Sequence, residues 1–415
     1  MAALVFAAAS PAAAQKPDST KAAIDSLTAR LERAEEALNL LRQQVAAQDE
    51  SSVKTKSGMT LEWNGRVLMN AFSNTRRTNN SDVPTTVRAD TANGLPNGGA
   101  GMEIRQTTLG LAVKSANVLG AQFLGDLDLD FFGGQLSTFG GRTMPVLRLR
   151  TARAILTWPG VELLLGQEQP LVSNLNPISL AGVGTPDFTA SGNLWYWIPQ
   201  VRVTVEQKGK VRFGVSGAIL GPMTGDNVGS FDTDFDVAER SRRPFFEGRA
   251  RVRWGEGDHE ADIGIGVHQG WLAPALHSMI SHHFVTADAL VPFGRIFEFR
   301  GEWFSGNGTR VLGGGAVGQL FGKAGVVVRG SGGWGQLNMK PSPRVLVGAG
   351  YGYDDPRDSD LTASGRLKNV TSELHSIVHP GGPLVFSFEW RRTTTTLTTR
   401  SWANDHLNFG AGFEF

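Results

Sequence analysis

Ten arginines stand where they could act as a set: Arg105, Arg148, Arg150, Arg202, Arg212, Arg249, Arg251, Arg253, Arg300 and Arg391. Arg249, Arg251 and Arg253 alternate along one stretch. On an extended chain, residues two apart point the same way with Cα atoms about 7 Å apart. These three therefore form a ladder of guanidinium groups. A guanidinium is a planar fork that grips a carboxylate at two points and keeps its charge. Acids fall on the same alternation: Asp126, Asp128, Asp130, Glu247, Glu298 and Glu302. A basic wall opposite an acidic one sets a field across the space between them. That is the chemistry of attracting and handing on small charged solutes, not of breaking bonds. The same residues could instead neutralise one another and only keep a wall wet. The sequence leaves both readings open.

No constellation for metal binding or catalysis stands out beside this set. His282 and His283 are adjacent, and neighbours on a strand face opposite sides, so they cannot chelate together. They and His277 are expected at a rim. Asp232, Asp234 and Asp236 resemble the start of a calcium loop but lack its Gly and terminal Glu at the required spacing. They read as solvated acids. Gly313-Gly314-Gly315 has no Lys-Ser/Thr sequel and no helix after it, so it is no phosphate loop. Ser and His are present, yet nothing singles out a triad. With no Cys in the chain, disulfides, thiolate chemistry and Cys-based zinc are excluded. No cofactor is expected.

The elements that must position these charges are strands. From residue 59 the period is 2: Met59, Leu61, Trp63, Val67, Met69 and Ala71 share one parity, and Glu62, Asn64, Arg66 and Asn70 the other. Phe246, Ala250, Val252 and Trp254 alternate with Glu247, Arg249, Arg251 and Arg253. Leu384, Phe386, Phe388 and Trp390 alternate with Ser387, Glu389 and Arg391. One side is apolar and aromatic, and the other is charged. A soluble sandwich alternates too, with the apolar side as its core. Here the runs reach about 9–11 residues, the length of tilted membrane strands, whereas soluble strands average about 5–6. Trp158, Trp195, Tyr196, Trp197, Trp254, Trp303, Tyr351 and Tyr353 gather at strand ends, as in the interfacial girdles of a membrane barrel. The formal net charge of +1 gives nucleic-acid binding no support. Beyond the extreme N-terminus no stretch offers the ~20 apolar residues of a membrane helix.

The connections alternate in length. Long ones cover 74–100, 133–143, 170–194, 221–243, 271–280, 305–325, 355–366 and 396–401; short ones lie near 115–119, 159–160, 208–209, 255–258, 292–294, 341–343 and 379–382. Short turns at one end and long loops at the other mark a membrane barrel. Eight long and seven short connections make sixteen strands over 59–415. The twelfth, near 326–340, is Gly-rich and leaves fourteen or eighteen open. Arg153 falls on the opposite parity from Arg148 and Arg150, so a bulge or register change is needed there. The 170–194 segment holds one formal charge, Asp187, and as a constriction it would narrow a pore sterically more than electrically. The last strand ends on Phe415, a terminal aromatic resembling the signal read by outer-membrane assembly machinery.

Two segments precede the strands. Residues 1–14 hold a short apolar core and Ala12-Ala13-Ala14, the pattern of a signal peptide without its basic start. Residues 18–50 lack Gly and Pro, and Ile24, Leu27, Leu31, Ala34, Leu38, Leu41 and Val45 are spaced 3-4-3-4-3-4. That seam predicts a short self-associating coiled coil, set in the periplasm.

Several stretches carry a resemblance. Arg105-Gln106-Thr107-Thr108-Leu109-Gly110-Leu111 is followed by Asp126-Leu127-Asp128-Leu129-Asp130-Phe131-Phe132-Gly133, Leu147-Arg148-Leu149-Arg150-Thr151-Ala152 and Leu164-Leu165-Gly166-Gln167. Later come Gly333-Trp334-Gly335, Gly350-Tyr351-Gly352-Tyr353-Asp354-Asp355-Pro356 and Arg366-Leu367-Lys368-Asn369. With the coiled coil in front, the chain resembles the DcaP-like trimeric porins of the bacterial outer membrane. The resemblance implies a homotrimer of all-β, 16-stranded antiparallel transmembrane β-barrels, each with its third loop folded into the lumen. It implies passive uptake of small, often anionic, solutes such as carboxylates. Outer-membrane lipid, the assembly machinery and small-molecule solutes are then the partners. A barrel enzyme acting on lipid or peptide, and a barrel tethered to another envelope layer, are the alternatives.

Overall fold

The computed structural model describes residues 59–90, 96–134, 143–226, 234–275 and 278–415, with the short strand Val53–Lys54. The expected signal segment 1–14 and the seam residues Ile24, Leu27, Leu31, Ala34, Leu38, Leu41 and Val45 lie outside the described residues.

The period-2 stretches are strands, and among the described residues sixteen of them make a closed wall. They are β1 (Thr60–Asn74), β2 (Gly99–Glu103, resuming as Thr108–Val118), β3 (Ala121–Asp130), β4 (Arg148–Trp158), β5 (Val161–Glu168), β6 (Ile198–Glu206), β7 (Val211–Leu220) and β8 (Phe245–Trp254). Then follow β9 (Ala261–Leu272), β10 (Ile280–Phe293), β11 (Phe297–Asn307), β12 (Arg329–Ser342), β13 (Val345–Pro356), β14 (Arg366–Val378), β15 (Leu384–Leu397) and β16 (Ser401–Glu414). Each pairs antiparallel with the next, and β16 returns to β1, with Glu414 opposite Arg66 and His406 opposite Asn74. Phe415 completes the seam: Gly65 N–H donates to its carbonyl at 3.0 Å and Phe415 N–H to the Gly65 carbonyl at 3.1 Å. The Gly-rich twelfth strand is paired on both sides from Gly330 to Met339, which settles the count.

Short turns such as Leu119-Gly120 and Pro159-Gly160 join strands at one end, and longer loops join them at the other. The third loop runs from 169 to 197. One connection is shorter than expected. The long loop placed at 396–401 is only residues 398–400, because β15 and β16 stay paired out to Thr396 and Ser401.

The wall has its greasy side outward. Phe213 is 59% exposed, Val215 64%, Ile265 66%, Phe299 37% and Phe386 46%. On the opposite parity Glu247, Arg249, Glu389 and Arg391 are all buried. This inverted polarity suits hydrocarbon outside and polar groups within. One parity puzzle resolves in β4. Asp128 pairs with Thr151 and Leu129 with Leu149, so Arg150 is an extra residue without a cross-strand partner. The bulge turns Arg148, Arg150 and Arg153 all toward the lumen, where each meets an acid of β3. Leu149 stays outside, 44% exposed.

The outward face makes a prediction. Ile265→Arg should destabilise the folded barrel by about 2–4 kcal/mol, the cost of Arg on a lipid face near mid-membrane, while Ile265→Val should be nearly neutral. Urea titration in lipid vesicles measures both. Equal midpoints for the two variants would refute the lipid-facing assignment.

Candidate functional site: the lumen and its third loop

The third loop enters the lumen because the wall supplies partners for its backbone. At its start, Leu171 N–H donates to Glu247 Oε2 at 2.6 Å. Ser173 Oγ and Leu175 N–H donate to Glu302 at 3.0 and 2.8 Å. Gln336 on β12 clasps Ile178 both ways, accepting its N–H at 2.8 Å and donating to its carbonyl at 3.0 Å. Gln106 sits in the break between the two parts of β2. It donates to Ala181 O at 2.7 Å and accepts from Val183 N–H at 2.7 Å and Gly184 N–H at 3.0 Å. Asn70 on β1 donates to Leu180 O at 3.0 Å. Farther along, Phe188 stacks on Trp334 with centroids 5.8 Å apart. Gly192 passes so near β12, at φ +105°, that a Cβ there would lie 2.2 Å from the Gly333 carbonyl. The loop thus reaches strands on several sides of the barrel.

An apolar core holds the loop from the other side. Ile198, Leu220, Phe245, Leu272, Phe284 and Phe304 turn inward at the loop ends of β6 to β11. Against them pack Leu171, Val172 and Leu194 of the third loop, Val237 and Ala238 of the fourth, and Val311, Leu312 and Leu320 of the sixth. Burying each large side chain contributes about 1.5–3 kcal/mol. The interior is therefore not uniformly ionic, a departure from the simple alternation rule.

Most of the arginines expected on the open wall are held in ion pairs. Arg105, Arg249 and Arg391 are only 4, 3 and 2% exposed, which corrects their placement as open lining. Arg105 pairs with Asp82, and Arg391 with Asp187 and Glu389. Arg249 pairs with Asp288 at 2.5 Å and Asp262 at 2.7 Å. Gly264 makes room for it: a Cβ there would lie 2.4 Å from its Nε. The ladder of Arg249, Arg251 and Arg253 shares one face as expected, but each rung is matched. Arg251 meets Glu206 at 2.9 Å, and Arg253 meets Glu206 at 3.2 Å and also Glu260. Arg212 pairs with Glu260, and Arg300 with Glu298 at 2.6 Å. Arg202 donates to Gln169 O at 2.6 Å and Gln200 Oε1 at 2.9 Å.

The acids divide the same way. Asp126 holds Arg153 at 2.7 Å, and Asp130 holds Arg148 at 2.6 Å. Asp130, Glu247 and Glu302 are 0, 5 and 7% exposed, so they are clamps rather than an open wall. Sequence reasoning missed Glu206, Glu260, Asp262 and Asp288, which carry the neutralisation. Glu260 and Asp262 lie just across the turn from Arg253, on a parity that strand pairing would have revealed. Gln106 and Gln336 gave no signal, since an amide on a polar parity is ordinary. Two histidine and aspartate expectations also change. His282 lies at the loop end of β10 but is buried rather than exposed, its Nε2 3.2 Å from His268 Nε2. Asp236 is buried and accepts Thr224 N–H at 2.6 Å.

Open space remains between the third loop and the wall of β1 to β5. One cavity of about 500 Å³ is bordered by Glu62, Lys114, Asp128, Arg150, Arg153 and Asn176. Another of about 400 Å³ is bordered by Arg66, Thr108, Arg150, Asn176, Ser179 and Pro186. Arg150 and Asn176 border both. Arg150 is the least committed guanidinium there. Its acids stand at 3.4 Å (Asp128) and 3.7 Å (Asp130), beyond the ~2.7–2.9 Å of a charge-assisted hydrogen bond. Its Nε is buried without an acceptor, and its guanidinium lies 5.0 Å from the Trp197 ring centre.

Gln336→Ala should strand the Ile178 amide and carbonyl in a buried place, at about 1–3 kcal/mol, and loosen the third loop. Chymotrypsin should then cut within 169–197 in the variant and spare the wild type. Equal resistance would show that the clasp is dispensable.

No family model matches the chain, and no curated protein matches it. Solved structures do. The outer membrane channel DcaP of Acinetobacter baumannii aligns with a TM-score of 0.68 at 18% identity, over 88% of this chain and 100% of that one. An anion-selective porin from Comamonas acidovorans aligns at 0.55 and 13% identity, over 86% and 100%. OprB of Pseudomonas putida aligns at 0.53 and 10% identity, over 86% and 94%. At these identities the likeness concerns architecture: this chain is similar in fold to solved outer-membrane channel barrels.

Proposed function

We propose that the chain is an outer-membrane porin, a water-filled channel for passive diffusion of small hydrophilic solutes, anions such as carboxylates among them. The observation that carries this reading is the inverted barrel with polar space left beside its third loop, bordered by Arg150, Arg153, Lys114 and their acids. A 16-stranded barrel is wide enough for an aqueous lumen. The fold shared with the DcaP channel and the Comamonas porin points the same way. No residues are assigned to catalysis in this reading. It includes a homotrimer in outer-membrane lipid, the 18–50 coiled coil on the periplasmic side, and Phe415 as the residue met by the assembly machinery.

In this account solutes pass along the β1 to β5 wall, because loops and the apolar core occupy the other side. Arg150 is the group a passing carboxylate meets, since its own acids hold it loosely. The β8 ladder contributes less than its sequence promised, being matched rung by rung.

Purified protein in a planar bilayer should give stepwise currents, in triplets for a trimer. Absence of current from folded protein would sink the porin reading. In a salt gradient, Arg150→Ala should move the reversal potential toward cation preference by more than Arg251→Ala does. An equal or reversed order would remove Arg150 from its assigned role.

A further inference from the structure

The third loop meets the wall at a buried group of acids whose charge is not balanced. Asp187 on the loop, Glu373 on β14 and Glu389 on β15 are 1, 2 and 3% exposed. Each offers an oxygen within 4.8 Å of the others. Arg391 pairs with Asp187 and Glu389 and brings one positive charge against three carboxylates. Ser179 Oγ donates to Glu389 Oε2 at 2.5 Å. Gln336 Nε2 and His375 Nδ1 both meet Glu373 through its Oε1, at 3.1 and 2.8 Å.

These contacts leave two oxygens over. Glu373 Oε2 and Asp187 Oδ2 are buried and have no hydrogen-bond partner. A buried carboxylate oxygen without a donor or a cation is costly, so the site calls for positive charge. Its ligands are all carboxylate, the hard oxygen donors that calcium and magnesium take. Calcium–oxygen distances of about 2.3–2.6 Å allow two ligands on one ion to stand at most about 5 Å apart. The three oxygens stand within 4.8 Å of one another, inside that reach. Three carboxylates less one guanidinium leave two negative charges, which one divalent cation cancels.

We propose that Asp187, Glu373 and Glu389 hold a divalent cation of the calcium or magnesium class, which clips the third loop to β14 and β15. The ion lies on the side of Glu373 Oε2 and Asp187 Oδ2, away from Arg391. It is a structural clip. Removing it sets Asp187 against Glu373 and frees the turn that carries Phe188 onto Trp334.

The test uses the full chain in detergent, delipidated, stripped with EDTA and titrated with calcium chloride by calorimetry. One calcium per chain is expected. Glu373→Gln and Asp187→Asn should each weaken it by about tenfold or more, and Glu256→Gln, in the exposed turn between β8 and β9, should not. Should Glu373→Gln fail to fold, Asp187→Asn decides, because it alters the loop and leaves the wall intact. Equal affinity in wild type and Asp187→Asn would overturn the site. So would folded wild type that takes up neither calcium nor magnesium, which would mean that the acids share protons instead. Neither result depends on whether the chain conducts, so the porin reading stands or falls separately.

Discussion

A peptide group in hydrocarbon has no water to bond with, so a sheet that crosses a membrane cannot keep an edge. That constraint governs the rest of this molecule. It forces β16 back onto β1 and places Phe415 against Gly65 at the seam. It also fixes the polarity, because a closed wall has one face for lipid and one for whatever fills the middle. With sixteen strands the middle is too wide for wall side chains alone to fill. Something else must decide how much of it stays open.

The loops decide it. The third loop carries almost no charge and is held by groups that the wall offers to its backbone. Two amides, Gln106 and Gln336, and two carboxylates, Glu247 and Glu302, anchor it. An amide serves well here because it donates and accepts at once. Gln336 thereby satisfies both polar groups of Ile178. The apolar core at the mouth adds weight on one side and leaves the polar space against β1 to β5.

The lumen charges follow a second rule. A charge half-withdrawn from water is costly alone and tolerable when paired. Glu206 and Glu260 therefore accompany Arg251, Arg253 and Arg212, and Asp288 accompanies Arg249. The pairing draws the field in close to the wall and leaves a loosely held group such as Arg150 as the exception. The bulge in β4 matters for the same reason. Without the extra residue, Arg153 would face lipid and leave Asp126 unmatched.

The wall was legible in the order of residues along the chain. Period-2 polarity, the alternation of turn and loop and the aromatic end pointed to an antiparallel wall of sixteen strands, with fourteen or eighteen left open until the pairing of β12 was seen. The parity clash between Arg150 and Arg153 called for a bulge or a register change, and the pairing of β3 with β4 placed it at Arg150. These are local properties, since a side chain's face follows from its place along its own strand. Tertiary structure alone decided the rest: which acid meets which arginine, that Phe245 and Phe284 point inward to an apolar core, and that Asp187 joins Glu373 and Glu389 from far along the chain. Those depend on register between strands and on where a loop comes to rest. Residues far apart in the chain set both, and no pattern within one stretch records them.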